Sequence, residues 1–97
     1  MTPHQHELAA QLACMEAIKS GCTTMSEFFY TNQDPELAHS CIDGMVSTGI
    51  RSVFIRTFQD TGEEYGMPKC FLEPAGKAMK EVDALKKAYK ENDMLSI

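Results

Sequence analysis

The chain has 97 residues, so it holds one small domain at most, and a domain of this size buries only about 60–65% of the surface that its unfolded chain exposes. Its 9 basic and 14 acidic residues give a formal net charge of −5, and no lysine or arginine cluster forms the phosphate-binding stripe of a nucleic-acid-binding protein. We therefore expect no nucleic-acid partner.

The four cysteines and the lack of long apolar runs favour a cytoplasmic protein. The cysteines are widely spaced, without a Cys-x-x-Cys pair or the dense disulfide pattern of small secreted proteins. No apolar stretch reaches the roughly 18 to 20 residues that cross a bilayer, and the N-terminus does not resemble an export signal. We expect reduced thiols and no membrane partner.

The pair Thr2-Pro3 predicts the start of a first helix over residues 3–20. The Thr2 hydroxyl can accept a free backbone N–H, and the fixed φ of proline suits the first helical position. Gly21 supplies the stop. The apolar residues at helical spacing in this helix are Leu8, Leu12, Met15 and Ile18.

Residues 22–31 are rich in Thr and aromatic side chains and predict the first strand. Asp34-Pro35 repeats the cap-and-proline start and predicts a second helix over residues 35–48. Gly44 weakens this helix by up to about 1 kcal/mol relative to Ala. Its apolar face consists of Leu37, Ala38, Cys41, Ile42 and Met45.

Residues 50–58 are β-branched and aromatic and predict the second strand. Residues 59–73 lack periodicity and predict a long loop, a kind of segment that is often functional. A third helix over residues 74–92 begins at Pro74, and residues 93–97 resemble the start of a further strand. The apolar stripe of the third helix is Ala75, Ala78, Met79, Val82, Leu85 and Tyr89.

The predicted order is helix, strand, helix, strand, helix, which is typical of an α/β fold. Strands that alternate with helices across short connections are parallel and are joined by right-handed crossovers. Parallel strands need cover on both faces, and two strands with three helices supply little of it. We therefore expect a partial sheet, as in a slice of a larger α/β sheet or barrel.

Five short patterns follow one another along the chain: ACME at 13–16, SGCTT at 20–24 with Glu27 three positions later, TGIR at 48–51, RTFQD at 56–60 and GEEYGMP at 62–68. In this order and spacing the chain resembles the amidohydrolase superfamily, in the branch of triazine hydrolases and cytosine, guanine and adenosine-type deaminases. The likeness extends over nearly the whole chain.

The resemblance implies a partial (β/α) TIM-barrel segment from barrel helix 1 to helix 3, since a complete barrel has about 250 residues. The parent enzyme would use zinc or iron to activate water for C–N or C–halide hydrolysis on a nitrogen heterocycle. The metal ligands of the family would lie outside this chain. We therefore expect no cofactor, no catalytic residue and no turnover from the chain alone, and a small-molecule substrate only in the full-length enzyme.

His4 and His6 have the spacing of a metal-binding His-x-His pair, but they lie where a helix begins. On a helix the positions i and i+2 point about 200° apart, whereas on a strand they share a face. The resemblance places the metal pair of the family upstream of Met1. We expect both to be solvent-exposed helix-start residues, and His39 to be a surface or packing residue.

Side chains at the carboxyl ends of barrel strands face the active site, so the resemblance implies substrate-pocket candidates there. These candidates are Glu27, Phe29, Tyr30, Arg56 and Asp60, together with residues of the 59–73 loop. Each has a structural alternative: the aromatic residues belong to the core, Glu27 pairs with Arg51 or Arg56, and Arg56 forms a surface pair with Asp60. A buried Glu27 needs a cation or several donors in either case.

An alternative function is a standalone α/β interaction or oligomerisation module without catalysis. Open strand edges and uncovered apolar faces favour association, so a homo-oligomer is expected under both hypotheses. A free-standing metal enzyme built from His4, His6 and His39 is disfavoured, because imidazoles from two helices would have to converge.

Overall fold

The computed structural model describes residues 1–97 as an α/β fold with three helices and a three-stranded parallel sheet. The elements are α1 (Pro3–Lys19), β1 (Thr24–Phe29), α2 (Pro35–Ser47), β2 (Arg51–Arg56), α3 (Ala75–Ala88) and β3 (Leu95–Ser96). This order confirms the predicted alternation and the parallel pairing, and the predicted strand start within 93–97 is β3.

The termini of the elements differ in detail from the prediction. Both long strands are shorter than expected, and α3 ends at Ala88 instead of 92. The segment 59–73 is not wholly irregular, because it contains two single-turn 3-10 helices, Glu63–Tyr65 and Lys69–Phe71. None of the helices combines the length and apolarity needed to cross a membrane.

Local caps begin α1 and α2 where the sequence predicts. The Thr2 hydroxyl accepts the Gln5 backbone N–H at 3.2 Å, and the Thr2 N–H donates to the Gln5 side chain at 2.8 Å. Asp34 Oδ1 accepts the Glu36 N–H at 2.9 Å. The Thr2–Gln5 bonds are reciprocal, and the Asp34 bond is a single one; both caps satisfy a donor that a helix leaves free in its first turn.

The spatial order of the strands equals their order in the chain, with β2 in the centre. The register places Glu27 opposite Phe54 and Phe29 opposite Arg56. Strand β1 is therefore an edge strand, and the short β3 covers only the first part of β2, where Ser52 pairs with Leu95.

The helices cover one face of this sheet. Phe29 and Phe54 point into the core, with ring centroids 5.2 Å apart. The next side chain of β1, Phe28, points the other way and is 63% exposed. The predicted apolar face of α2 is confirmed, since all five of its residues are buried in the same core: Leu37, Ala38, Cys41, Ile42 and Met45.

The apolar stripe of α1 does not enter the core, which corrects the simplest expectation from its spacing. Leu12 is 61% exposed, and Leu8, Met15 and Ile18 are also exposed. The side of α1 that packs on the core carries small residues instead: Ala10, Cys14 and Ala17.

The close approach of α1 and α2 explains this choice of small residues. A Cβ atom added to Gly44 of α2 would lie 2.4 Å from the Glu7 carbonyl oxygen and 3.0 Å from the Ala10 Cβ. Bulky side chains would hold the helices apart, so the large apolar residues of α1 lie on its outer face. Glycine at position 44 lowers the helix propensity of α2, but the close contact with α1 leaves no room for a larger residue there.

Helix α3 is joined to the rest of the fold at a few points. Leu85 is buried in the core, and the Tyr89 hydroxyl donates to Asp43 Oδ1 at 2.8 Å. His39 Nδ1 lies 3.1 Å from the same hydroxyl, so this half-buried histidine is a packing residue. Met79 of the predicted stripe is exposed.

The contact at Gly44 gives a testable prediction. Gly44→Ala should lower the free energy of unfolding by about 1–3 kcal/mol, because the added methyl group meets backbone that cannot move without shifting a helix. Urea denaturation followed by circular dichroism measures the change.

Gly76→Ala is the matched control, because Gly76 also lies in a helix but has no atom near the added Cβ. It should stabilise the chain by about 0.4–1 kcal/mol. Equal gains in stability from the two variants would contradict the close helix contact.

Candidate functional site

Two cavities flank strand β1, one on each face of the sheet. The open-face cavity has a volume of about 490 Å³ and is lined by Phe28, Tyr30, Thr57, Phe58, Gln59, Met67 and Phe71. The helix-side cavity has a volume of about 260 Å³ and is lined mainly by α1, α2 and β1, including His6, Cys14, Met25, Glu27, Phe29 and Met45.

The open-face cavity lies where ligands bind in many α/β proteins, beyond the carboxyl ends of parallel strands. Hydrogen bonds fix this end of the sheet. The Thr57 N–H and hydroxyl both donate to the Phe29 carbonyl, at 2.9 and 2.8 Å, and Asn32 Nδ2 donates to the Thr57 carbonyl at 2.8 Å.

The segment 59–73 folds back onto the same end of the sheet. The Glu73 N–H donates to the Gln59 carbonyl at 2.8 Å, and Gln59 forms a parallel bridge with Leu72. This closure brings Met67 and Phe71 beside the side chains that leave β1 and β2. The long loop therefore forms one wall of the cavity.

The residues that line the open-face cavity are suited to binding a ligand. Its walls carry four aromatic rings, and the Gln59 amide can both donate and accept hydrogen bonds. No carboxylate, imidazole, thiol or cationic group is among the lining residues. Such a cavity can hold a flat, weakly polar ring, but it contains no general acid or base for hydrolysis near neutral pH.

In the helix-side cavity, the Glu27 side chain has no polar partner from the chain. It is half-buried, and its carboxylate forms no hydrogen bond or ion pair. The pKa of Glu27 is raised because burial disfavours its charged form. The predicted pairing of Glu27 with Arg51 or Arg56 is wrong, since neither arginine forms an ion pair with it.

The two cysteines of this cavity are shielded thiols. Cys14 Sγ lies 3.6 Å from Met25 Sδ, and burial raises the pKa of Cys14. Burial also raises the pKa of Cys41, to about 12. Both groups are therefore protonated near neutral pH and are poor nucleophiles.

The two histidines of the first helix have different surroundings. His4 has a side chain that is 75% exposed, as expected, and its Nδ1 lies 3.8 Å from Glu7 Oε2. His6 was expected to be exposed, but it lines the cavity, with its ring 5.7 Å from that of Phe29 in an edge-to-face arrangement. Burial lowers the pKa of His6. No group of three or more His, Cys, Asp or Glu side chains in the chain could hold a metal ion.

Arg56 lies at the carboxyl end of β2 and is buried among carboxylates. Its guanidinium pairs with both oxygens of Glu73, the second at 2.9 Å, and with Glu81 of α3. Burial alone would lower the pKa of Arg56, but the hydrogen bonds to Glu73 and Glu81 outweigh it and the pKa is raised. Lys77 Nζ lies 3.9 Å from both carboxylates and adds a second positive charge.

The five sequence-predicted pocket residues are therefore divided among different places. Tyr30 lines both cavities, Glu27 and Phe29 line the helix-side cavity, and Arg56 lines neither of them. The alternative surface pair of Arg56 with Asp60 is wrong, because Arg56 is buried with glutamates and Asp60 is exposed.

The sequence predicted part of the open-face cavity, namely Tyr30 and the loop 59–73 that contributes Gln59, Met67 and Phe71, but it missed Phe28, Thr57 and Phe58. Phe28 could have been preferred to Phe29 from the period of two along a strand, once the helix-facing side was known. Within the loop, no signal singled out Met67 and Phe71, because the segment 59–73 lacks periodicity.

Comparisons with protein-family models, with curated proteins and with solved structures found no match to this chain.

The Arg56 cluster gives a second prediction. Arg56→Met should lower the free energy of unfolding by about 3–5 kcal/mol, because it leaves Glu73 buried and Glu81 mostly buried with only the half-exposed Lys77, 3.9 Å away, as a counter-charge. Thermal and urea denaturation measure the loss.

The control is the triple variant Arg56→Met, Glu73→Gln, Glu81→Gln, which removes the unpaired charges and should regain a large part of the loss. A triple variant no more stable than the single one would contradict the assignment of the cost to unpaired carboxylates.

Proposed function

We propose that this chain is one wall of a (β/α) barrel in a metal-dependent hydrolase of the amidohydrolase kind. The observation that carries the proposal is the sheet with helices on one face only, whose other face holds an aromatic cavity beyond the carboxyl ends of its strands.

The topology supports this proposal. Strands that follow one another in the order β1-β2-β3, all parallel, are what a segment of a barrel requires. In a barrel the helices form the outer ring and the other face of the sheet is the interior. Phe28 and Tyr30 would be interior residues there, which accounts for two large aromatic side chains that are 63% and 64% exposed here.

In this proposal the open-face cavity is the substrate wall. Phe28, Tyr30 and Phe58 offer ring faces for stacking on a nitrogen heterocycle, and Gln59 offers an amide for a ring nitrogen or exocyclic group. Glu27 and Phe29 lie on the outer side of the barrel wall, and Arg56 has a structural role. The residues present do not form a zinc or iron site, so the proposal assigns no metal ligand or catalytic residue to this chain.

The size of the cellular product tests the proposal. Peptides of this sequence should be found, after denaturing size fractionation of the cells that express it, in a polypeptide of at least about 250 residues, because a barrel needs that length. Mass spectrometry of each fraction locates the peptides. A polypeptide of 10.8 kDa that carries them all would contradict the barrel proposal.

Metal content and activity of the isolated chain provide a second measurement. The purified chain should hold no stoichiometric zinc or iron and should release no ammonia or halide from heterocyclic substrates. One bound ion per chain that is lost in His4→Ala and His6→Ala variants would contradict the proposal and establish a different metal site.

A cytoplasmic interaction module is the second candidate, and the outer face of α1 favours it. Leu8, Leu12 and Met15 are exposed on one helix, with Ile18 continuing the row. Exposed apolar rows of this kind mark association surfaces. A second copy of the chain is the partner that this candidate proposes.

Sedimentation velocity tests the association surface. Leu12→Lys should shift the chain to a monomer at concentrations where the unsubstituted chain associates, because the charge would be buried in the interface. Met79→Lys is the control, since Met79 is similarly exposed but lies on α3. Equal effects of both substitutions, or association unchanged by Leu12→Lys, would exclude α1 as the interface.

A further inference from the structure

The helix-side cavity contains a carboxylate in apolar surroundings. Ten of its 13 lining residues are hydrophobic, and Glu27 is the only carboxylate among them. The wall next to Glu27 on β1 consists of Met25 and Phe29, while Cys14 and Met45 contribute from the helices. A charge in such a place needs compensation, because an apolar wall cannot replace the water that the carboxylate has lost.

No basic group of the chain pairs with Glu27, although Met1 lines the cavity and the positive charge of its N-terminus helps to lower the pKa of His6. No lysine or arginine lines the cavity, and no basic nitrogen forms an ion pair with the carboxylate. His6 is the only basic side chain in the wall, and burial lowers its pKa, so its imidazole is neutral near neutral pH. A neutral imidazole can accept a hydrogen bond, which makes it a second acceptor and not a counter-charge.

The dimensions of the cavity suit a ring with a short arm. Its volume of about 260 Å³ exceeds the roughly 150 Å³ of an apolar protein cavity that holds benzene. The thioether of Met25 and the ring of Phe29 are favourable neighbours for an aromatic ligand. Met1 and Tyr30 line the cavity and are mostly exposed, so the cavity reaches the surface.

We propose that the helix-side cavity binds a small organic cation with an apolar body, a protonated amine or amidine on a single ring, whose nitrogen pairs with the Glu27 carboxylate. The ring lies against Met25 and Phe29. This site goes beyond the proposed function, because it lies on the opposite face of β1 from the open-face cavity and does not depend on a barrel.

Benzylamine and benzyl alcohol are the probes, since they have nearly the same shape and differ in charge. Each is titrated into the full chain at pH 7 and followed by the NMR signals of the methionine methyl groups. Benzylamine should bind saturably and at least about tenfold more tightly than benzyl alcohol, which is about 1.4 kcal/mol. Absence of saturable binding, or equal binding of the two probes, would overturn the proposal.

Three variants locate the interaction. Glu27→Gln preserves the shape of the side chain and should remove the preference for benzylamine. Ala13→Met should block both probes, because Ala13 lines the cavity and the longer side chain fills it. Ser26→Gln is the matched control on the same strand, and it should leave both affinities unchanged because Ser26 faces away from the helices.

Circular dichroism establishes that each variant is folded before it is titrated. A folded Glu27→Gln variant that still prefers benzylamine would overturn the assignment to Glu27. Blocked binding in Ser26→Gln with full binding in Ala13→Met would place the ligand on the other face of the sheet and would also overturn it. None of these outcomes bears on the size of the cellular product, so the two proposals fail separately.

Discussion

A buried arginine at the end of the central strand holds the second half of this chain to the first. Arg56 pairs with Glu73, where the segment 59–73 ends, and with Glu81 on α3. Helix α3 has few other contacts with the core, so its orientation depends on the ion pair between Arg56 and Glu81. A buried guanidinium would be costly without such carboxylate partners. The pairing of Arg56 with Glu73 also holds the end of the segment 59–73 against the strand ends. Met67 and Phe71 of this segment then form one wall of the open-face cavity.

Helices cover one face of the sheet and leave the other bare, and the cavities on the two faces differ in their lining residues. On the helix side, α1 and α2 pack closely at Gly44, and a separate apolar cavity between these helices and β1 contains Glu27. On the bare side, aromatic rings and an amide surround a space without acid or base. Strand β1 separates the two because its side chains alternate between them.

Signals that act over a few residues made much of the fold predictable. The caps at Thr2 and Asp34 begin helices as expected, and the runs rich in Thr, β-branched and aromatic residues form parallel strands. The orientation of α1 was not predictable, because it depends on a contact with Gly44 that only the packed helices make. The partners of Arg56 were missed for the same reason: they lie 17 and 25 residues away along the chain.

Hydroxyl-radical footprinting of Phe28 and Phe29 tests the central claim that helices cover one face of the sheet and leave the other open. The two residues are adjacent and of the same type, so their intrinsic reactivities match, but Phe28 is 63% exposed and Phe29 3% exposed. At a concentration where sedimentation shows a monomer, Phe28 should be oxidised much faster than Phe29. Equal protection of both residues in the monomer would show that the second face is covered and would contradict the account.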